Sequence, residues 1–102
     1  MAKRFIHLDK DREFRFDFNA LVALEEQCHI NILQSQAYKL DSPTAIRDMA
    51  WAGQLVSDKP LSREQVGKFL STDADDYVKL AKMIAEALRE ALGIKVADVT
   101  KS

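Results

Sequence analysis

Near its start the chain alternates apolar and polar residues. Residues 4–18 read RFIHLDKDREFRFDF, with Phe14, Phe16 and Phe18 separated by Arg15 and Asp17, the two-residue period of a half-buried strand. The cluster Asp9-Lys10-Asp11 divides this run from Phe5-Ile6-His7-Leu8. The pattern predicts a β-hairpin, and no Asn-Gly or Asp-Gly pair specifies its turn type.

From Asn19 the period changes. Leu21, Leu24 and Cys28 recur at three- and four-residue spacing behind a cap at Asn19 or Asp17, which predicts a first helix over 19–28. The next stretch, HINILQSQAYKL, has weak periodicity and is open between a short helix and an irregular connection. Ser42-Pro43 then starts a second helix, predicted to run to about Val56, because the serine hydroxyl accepts from an orphan amide and proline suits the first helical position. After Asp58-Lys59-Pro60, Ser62 and Gln65 make a capping box for a short helix whose apolar face is Val66, Phe69 and Leu70. Ser71-Thr72-Asp73, with Thr72 read as the cap, opens the longest helix, Ala74 to Leu92, which stops at Gly93 with Lys82 and Arg89 on its outer side. The expected fold is α+β and mainly helical: an N-terminal hairpin, packed through Phe14, Phe16 and Phe18, followed by about four helices. Residues 1–93 are expected to form one domain, and 94–102 a fraying tail.

Composition narrows the function classes. The chain has 102 residues, 47% of them hydrophobic and 30% charged, with three Gly and two Pro, a balance that supports one folded core. Fifteen Lys and Arg against sixteen Asp and Glu leave a formal charge of -1, so no net field draws the protein to nucleic acid or anionic lipid. Lys3, Arg4, His7 and Asp9 interrupt any signal-peptide core, and the longest uncharged stretch, Met49 to Ser57, is far short of the roughly 20 apolar residues of a membrane span. The single cysteine, Cys28, has no disulfide partner and fits a reducing cytoplasm.

The candidate chemistry is sparse. Glu26 and His29 have the Glu-x-x-His spacing of di-iron bundles, but there is no second copy; His29 fits better as a group near a helix C-terminus. Cys28 and His29 are helix neighbours about 100° apart, which does not align a nucleophile with a base, and Cys28 reads as a small core residue. Asp73, Asp75 and Asp76 lack the glycine of an EF-hand loop, since Val78 stands at its sixth position, and they suit the positive end of a helix. Residues 62–92 have the outline of a helix-turn-helix, and a small DNA-binding regulator is the alternative function, although the aspartates opening the second helix would face phosphates. No phosphate loop, nucleophile elbow or zinc signature is present. Neither enzymatic activity, a metal nor a cofactor is expected.

Two helices carry more apolar surface than one small core obviously needs. On the helix starting at Pro43, residues Ala45, Ile46, Met49, Ala50, Gly53 and Val56 gather on one side, while Trp51 and Leu55 fall on the other, flanked by Arg47 and Asp48. Either a second element such as the hairpin covers this pair, or it is a recognition patch anchored by tryptophan. The long helix carries two stripes, Tyr77, Leu80, Ile84, Ala87, Ala91 and Val78, Ala81, Ala85, Leu88, Leu92, of which one suffices for a core. Trp51 and Leu55, with Tyr77, are the expected protein-interaction residues, binding another copy or a helical partner.

The order of these segments is similar to a known family. Phe14-Arg15-Phe16-Asp17-Phe18, Asn19-Ala20-Leu21 with Leu24-Glu25-Glu26, Ala45-Ile46-Arg47 leading to Trp51-Ala52-Gly53, and Leu61-Ser62-x-Glu64-x-Val66-Gly67 resemble the tail assembly chaperones of long-tailed bacteriophages and gene transfer agents, over about residues 12–70. The resemblance implies a non-enzymatic protein of the bacterial cytoplasm, absent from the finished particle, that coats the tape measure protein while tail tube protein polymerises around it. It also implies a short form of a product that a ribosomal frameshift extends in such phages. One departure is Gln27-Cys28-His29, where the family pattern leads one to expect a glycine-containing helix stop. The resemblance assigns no contact residues.

Overall fold

The computed structural model describes residues 3–31, 40 and 42–92. It has a two-stranded antiparallel hairpin followed by four helices, an α+β and mainly helical fold as the sequence predicts. The expected tail and most of the HINILQSQAYKL segment lie outside the described residues.

Strand β1, Arg4–His7, pairs with β2, Asp11–Phe14, in the register Arg4↔Phe14 to His7↔Asp11. The strand run therefore ends earlier than its apolar alternation. Phe14 and Phe16 are both buried and meet edge to face, 5.3 Å between centroids, whereas Phe18 is the first residue of α1, Phe18–Cys28, and is 71% exposed. The expectation that Phe18 packs into the core is corrected by a local event: the Asp17 carboxylate accepts from the Ala20 amide at 2.9 Å, so the chain turns helical one residue after the cap and rotates Phe18 outward. Asp17, not Asn19, is the cap.

Helix α1 ends without glycine. His29 adopts the left-handed conformation, φ 59°, while its N–H donates to Glu25 O at 3.2 Å and the Ile30 N–H donates to Leu24 O at 3.1 Å. This is a left-handed helix stop built on a residue other than the usual Gly or Asn.

Helix α2, Pro43–Gly53, is capped by Ser42, whose hydroxyl accepts from Ala45 N at 3.1 Å, and its last turn tightens into a 3₁₀ turn over 54–56. Ala45, Ile46, Met49, Ala50, Trp51 and Ala52 are all buried, so this helix is covered on several sides, with the hairpin, α1 and the two later helices around it. Three of those residues are alanines, which let neighbouring backbones approach closely. The approach is tightest at Gly53, where an added Cβ would overlap the Phe14 ring and where the Arg15 N–H donates to the Gly53 carbonyl at 2.9 Å. Gly53→Ala is expected to cost about 2 kcal/mol, overpacking outweighing the gain in helix propensity; urea unfolding of the variant measures it.

Helix α3, Arg63–Phe69, has the full capping box of Ser62 and Gln65. Its apolar face is narrower than the sequence suggests, since Val66 is buried, Leu70 half-buried and Phe69 exposed. Helix α4, Ala74–Leu92, starts at Asp73, whose carboxylate accepts from the Asp75 amide at 2.9 Å; the cap is Asp73 rather than Thr72. The two apolar stripes of α4 merge: Ala81, Ile84, Ala85, Ala87 and Leu88 are buried together, and Tyr77 and Leu80 are half-buried, while Val78 and Ala91 are exposed. Burial thus draws on both stripes and leaves neither whole as a separate seam. No described helix is long and apolar enough to cross a membrane.

Candidate interaction groove

Three elements meet around a cleft of about 500 Å3 between the start of α2, the end of α3 and the first turns of α4. Ile46, Leu70, Tyr77 and Leu80 form its apolar wall, with Thr44 and Gly67 at the sides. Gly67 lies against α2, where a Cβ would meet the Arg47 side chain at 3.4 Å, an ordinary van der Waals contact. Arg47 is the one charged residue of the lining, and its guanidinium donates to the buried Asp48 carboxylate at 3.0 and 3.2 Å.

Of the three interaction residues expected from sequence, Tyr77 lines this cleft, whereas Trp51 and Leu55 do not. Trp51 is 9% exposed and belongs to the core. The Arg63 guanidinium of α3 lies 5.7 Å from the centroid of its indole ring. Leu55 is half-buried against the same core. Ile46, Leu70 and Leu80, the other walls of the cleft, stand in the sequence on apolar helix faces, Leu80 in the same stripe as Tyr77, and no local signal marks them as a groove.

Polar groups fix the frame that holds the cleft. Gln54 is fully buried, its amide N–H groups donating to the carbonyls of Trp51 and Leu61 at 2.9 Å each, and its carbonyl accepting from Leu61 N at 2.9 Å. This clip ties the end of α2 to the residue before the α3 capping box. Arg12 is likewise buried: it holds Asp9 through two bonds of 2.8 and 2.9 Å and donates to the carbonyls of Asp58 and Lys59 at 2.9 and 3.0 Å. The hairpin turn is thereby locked onto the loop after α2.

The Arg12 hydrogen bonds, aided by the Lys10 amide, hold the Asp9 carboxyl down at about 2. A carboxyl depressed in the folded state contributes stability above its unfolded pKa and loses it as pH falls. The Asp9 contribution is therefore expected to be complete above about pH 4 and to vanish toward pH 2. Acid titration of unfolding checks this: Asp9→Asn flattens that part of the curve.

Cys28 sits half-buried with its sulfur 3.8 Å from Arg63 Nη1. Burial, followed by the nearby Asp48 carboxylate, pushes the thiol pKa up, opposite to what a nucleophilic cysteine needs. Among the described residues no group of three His, Cys, Asp or Glu side chains is placed to hold a metal ion. Comparison with protein-family models, curated proteins and solved structures found no match to this chain.

Proposed function

We propose that this chain is a non-enzymatic assembly chaperone of the phage tail type, which keeps a tape measure protein soluble by holding apolar helical segments of it while tail tube protein assembles. The observation that carries this reading is the apolar cleft containing Tyr77, open to solvent and walled by three separate elements, the form in which grooves accept the apolar face of a helix. The order of the sequence segments over about residues 12–70 supports the more specific role. A cleft whose wall is mostly apolar and whose lining holds no His, Cys, Asp or Glu favours binding over catalysis.

Co-expression with a phage tape measure protein tests the reading. The wild-type chain is expected to keep that protein in the soluble fraction, and Gly67→Leu, which places a side chain in the cleft, is expected to fail while remaining folded. Aggregation of the tape measure protein in both cases would sink the proposal. Tight, salt-sensitive binding of duplex DNA would instead establish the regulator as the function.

A further inference from the structure

The charges at one end of the cleft say what kind of segment it takes. At about 100° per residue, Asp73 and Asp76 lie within roughly 40° of the direction of Leu80 on α4, whereas Lys79 and Lys82 lie roughly 100° or more from it. Both aspartates are exposed, and among the described residues neither forms an ion pair. Asp73 also caps the helix, its carboxylate accepting from the Asp75 amide. The cation in the lining, Arg47, is already matched by Asp48. The cleft is thus apolar along its wall, and the exposed Asp73 and Asp76 stand outside its lining, next along the chain to the lining residues Thr72 and Tyr77.

Resting on the protein-binding role proposed above, we infer that the occupant is an amphipathic segment of another protein whose apolar residues fill the cleft and whose lysine or arginine lies over the first turn of α4. A second copy of this chain is the less suited occupant. Among the described residues its most exposed large apolar side chain, Phe18, directly follows Asp17 and would bring a carboxylate toward Asp73 and Asp76; a copy seated instead through Phe69 beside Lys68 is the dimer that sedimentation tests. Rim charges of this kind change affinity modestly and select between partners more than they create binding.

Two synthetic helical peptides test the inference, with identical leucines at i, i+3, i+4 and i+7 and either lysine or glutamate at the flanking positions. Fluorescence anisotropy at low and high salt would be read against the wild type, the double variant Asp73→Asn/Asp76→Asn, which retains side-chain oxygens for capping, and Gly67→Leu. The lysine peptide is expected to bind, with the double variant weakening it about five- to tenfold at low salt and less at high salt. The glutamate peptide is expected to bind more weakly to the wild type, and Gly67→Leu to abolish both. Equal binding of both peptides, blocked by Gly67→Leu and insensitive to the double variant, overturns the basic partner and leaves the groove standing. Binding by neither peptide overturns both, as does a dimer in sedimentation that Gly67→Leu dissociates.

Discussion

Replacing Trp51 with alanine is expected to destabilise the protein by about 3–5 kcal/mol, the range for removing a large aromatic from a packed core. The indole is 9% exposed, belongs to the same buried cluster as Met49, Ala50 and Val66, and is faced by the Arg63 guanidinium. Its loss also removes a cation–π contact of about 0.5–1 kcal/mol at a partly exposed site. For a domain of this size each kcal/mol moves the melting temperature by about 4–8 °C, so thermal unfolding should shift by well over 10 °C. Because the cleft walls do not include Trp51, peptide binding is expected to persist below the lowered transition. A variant that melts within a few degrees of wild type while losing partner binding would return Trp51 to the surface role read from its sequence position.

The second large effect is expected at Gln54. Gln54→Leu preserves most of the volume and removes all three hydrogen bonds that join the carbonyl of Trp51 to the backbone of Leu61. Each polar group left unpaired in a buried site costs about 1–3 kcal/mol, and the expected loss is about 3 kcal/mol after the gain from apolar burial. Leu61 leads directly into the Ser62 capping box, so the variant also frees the end of α3 that forms one side of the cleft. Amide exchange should speed up in Arg63–Phe69 before it does in α4. Unchanged urea stability would mean that solvent or a shifted side chain satisfies Leu61.

The parts of this structure legible in the sequence are those fixed within a few residues. Ser42-Pro43 and Ser62 with Gln65 specify their helix starts through bonds spanning three positions, and both appear where the pattern predicts. The hairpin was legible in kind but not in extent, because Phe18 continues the two-residue alternation although Asp17 has already begun a helix. The surplus apolar surface of α2 was visible, yet its destination was not: Arg63 meets Trp51 from a later helix, and no local signal specifies that return. Arg12 and Gln54 carry no local signal of their burial because their partners, the carbonyls of 58 and 59 and the backbone of 61, lie across a loop or far along the chain. Of the cleft, only Tyr77 was singled out for binding, since a groove built by three elements has no periodicity of its own.

The most direct measurement of the groove is amide chemical-shift mapping of the chain as the lysine peptide is titrated in. Shifts are expected to concentrate at residues 43–47, 67–72 and 76–80, saturating together and disappearing in Gly67→Leu. Saturating shifts centred on the hairpin or the end of α4, with 43–47 and 76–80 unmoved, would contradict the assignment of the groove as the binding site.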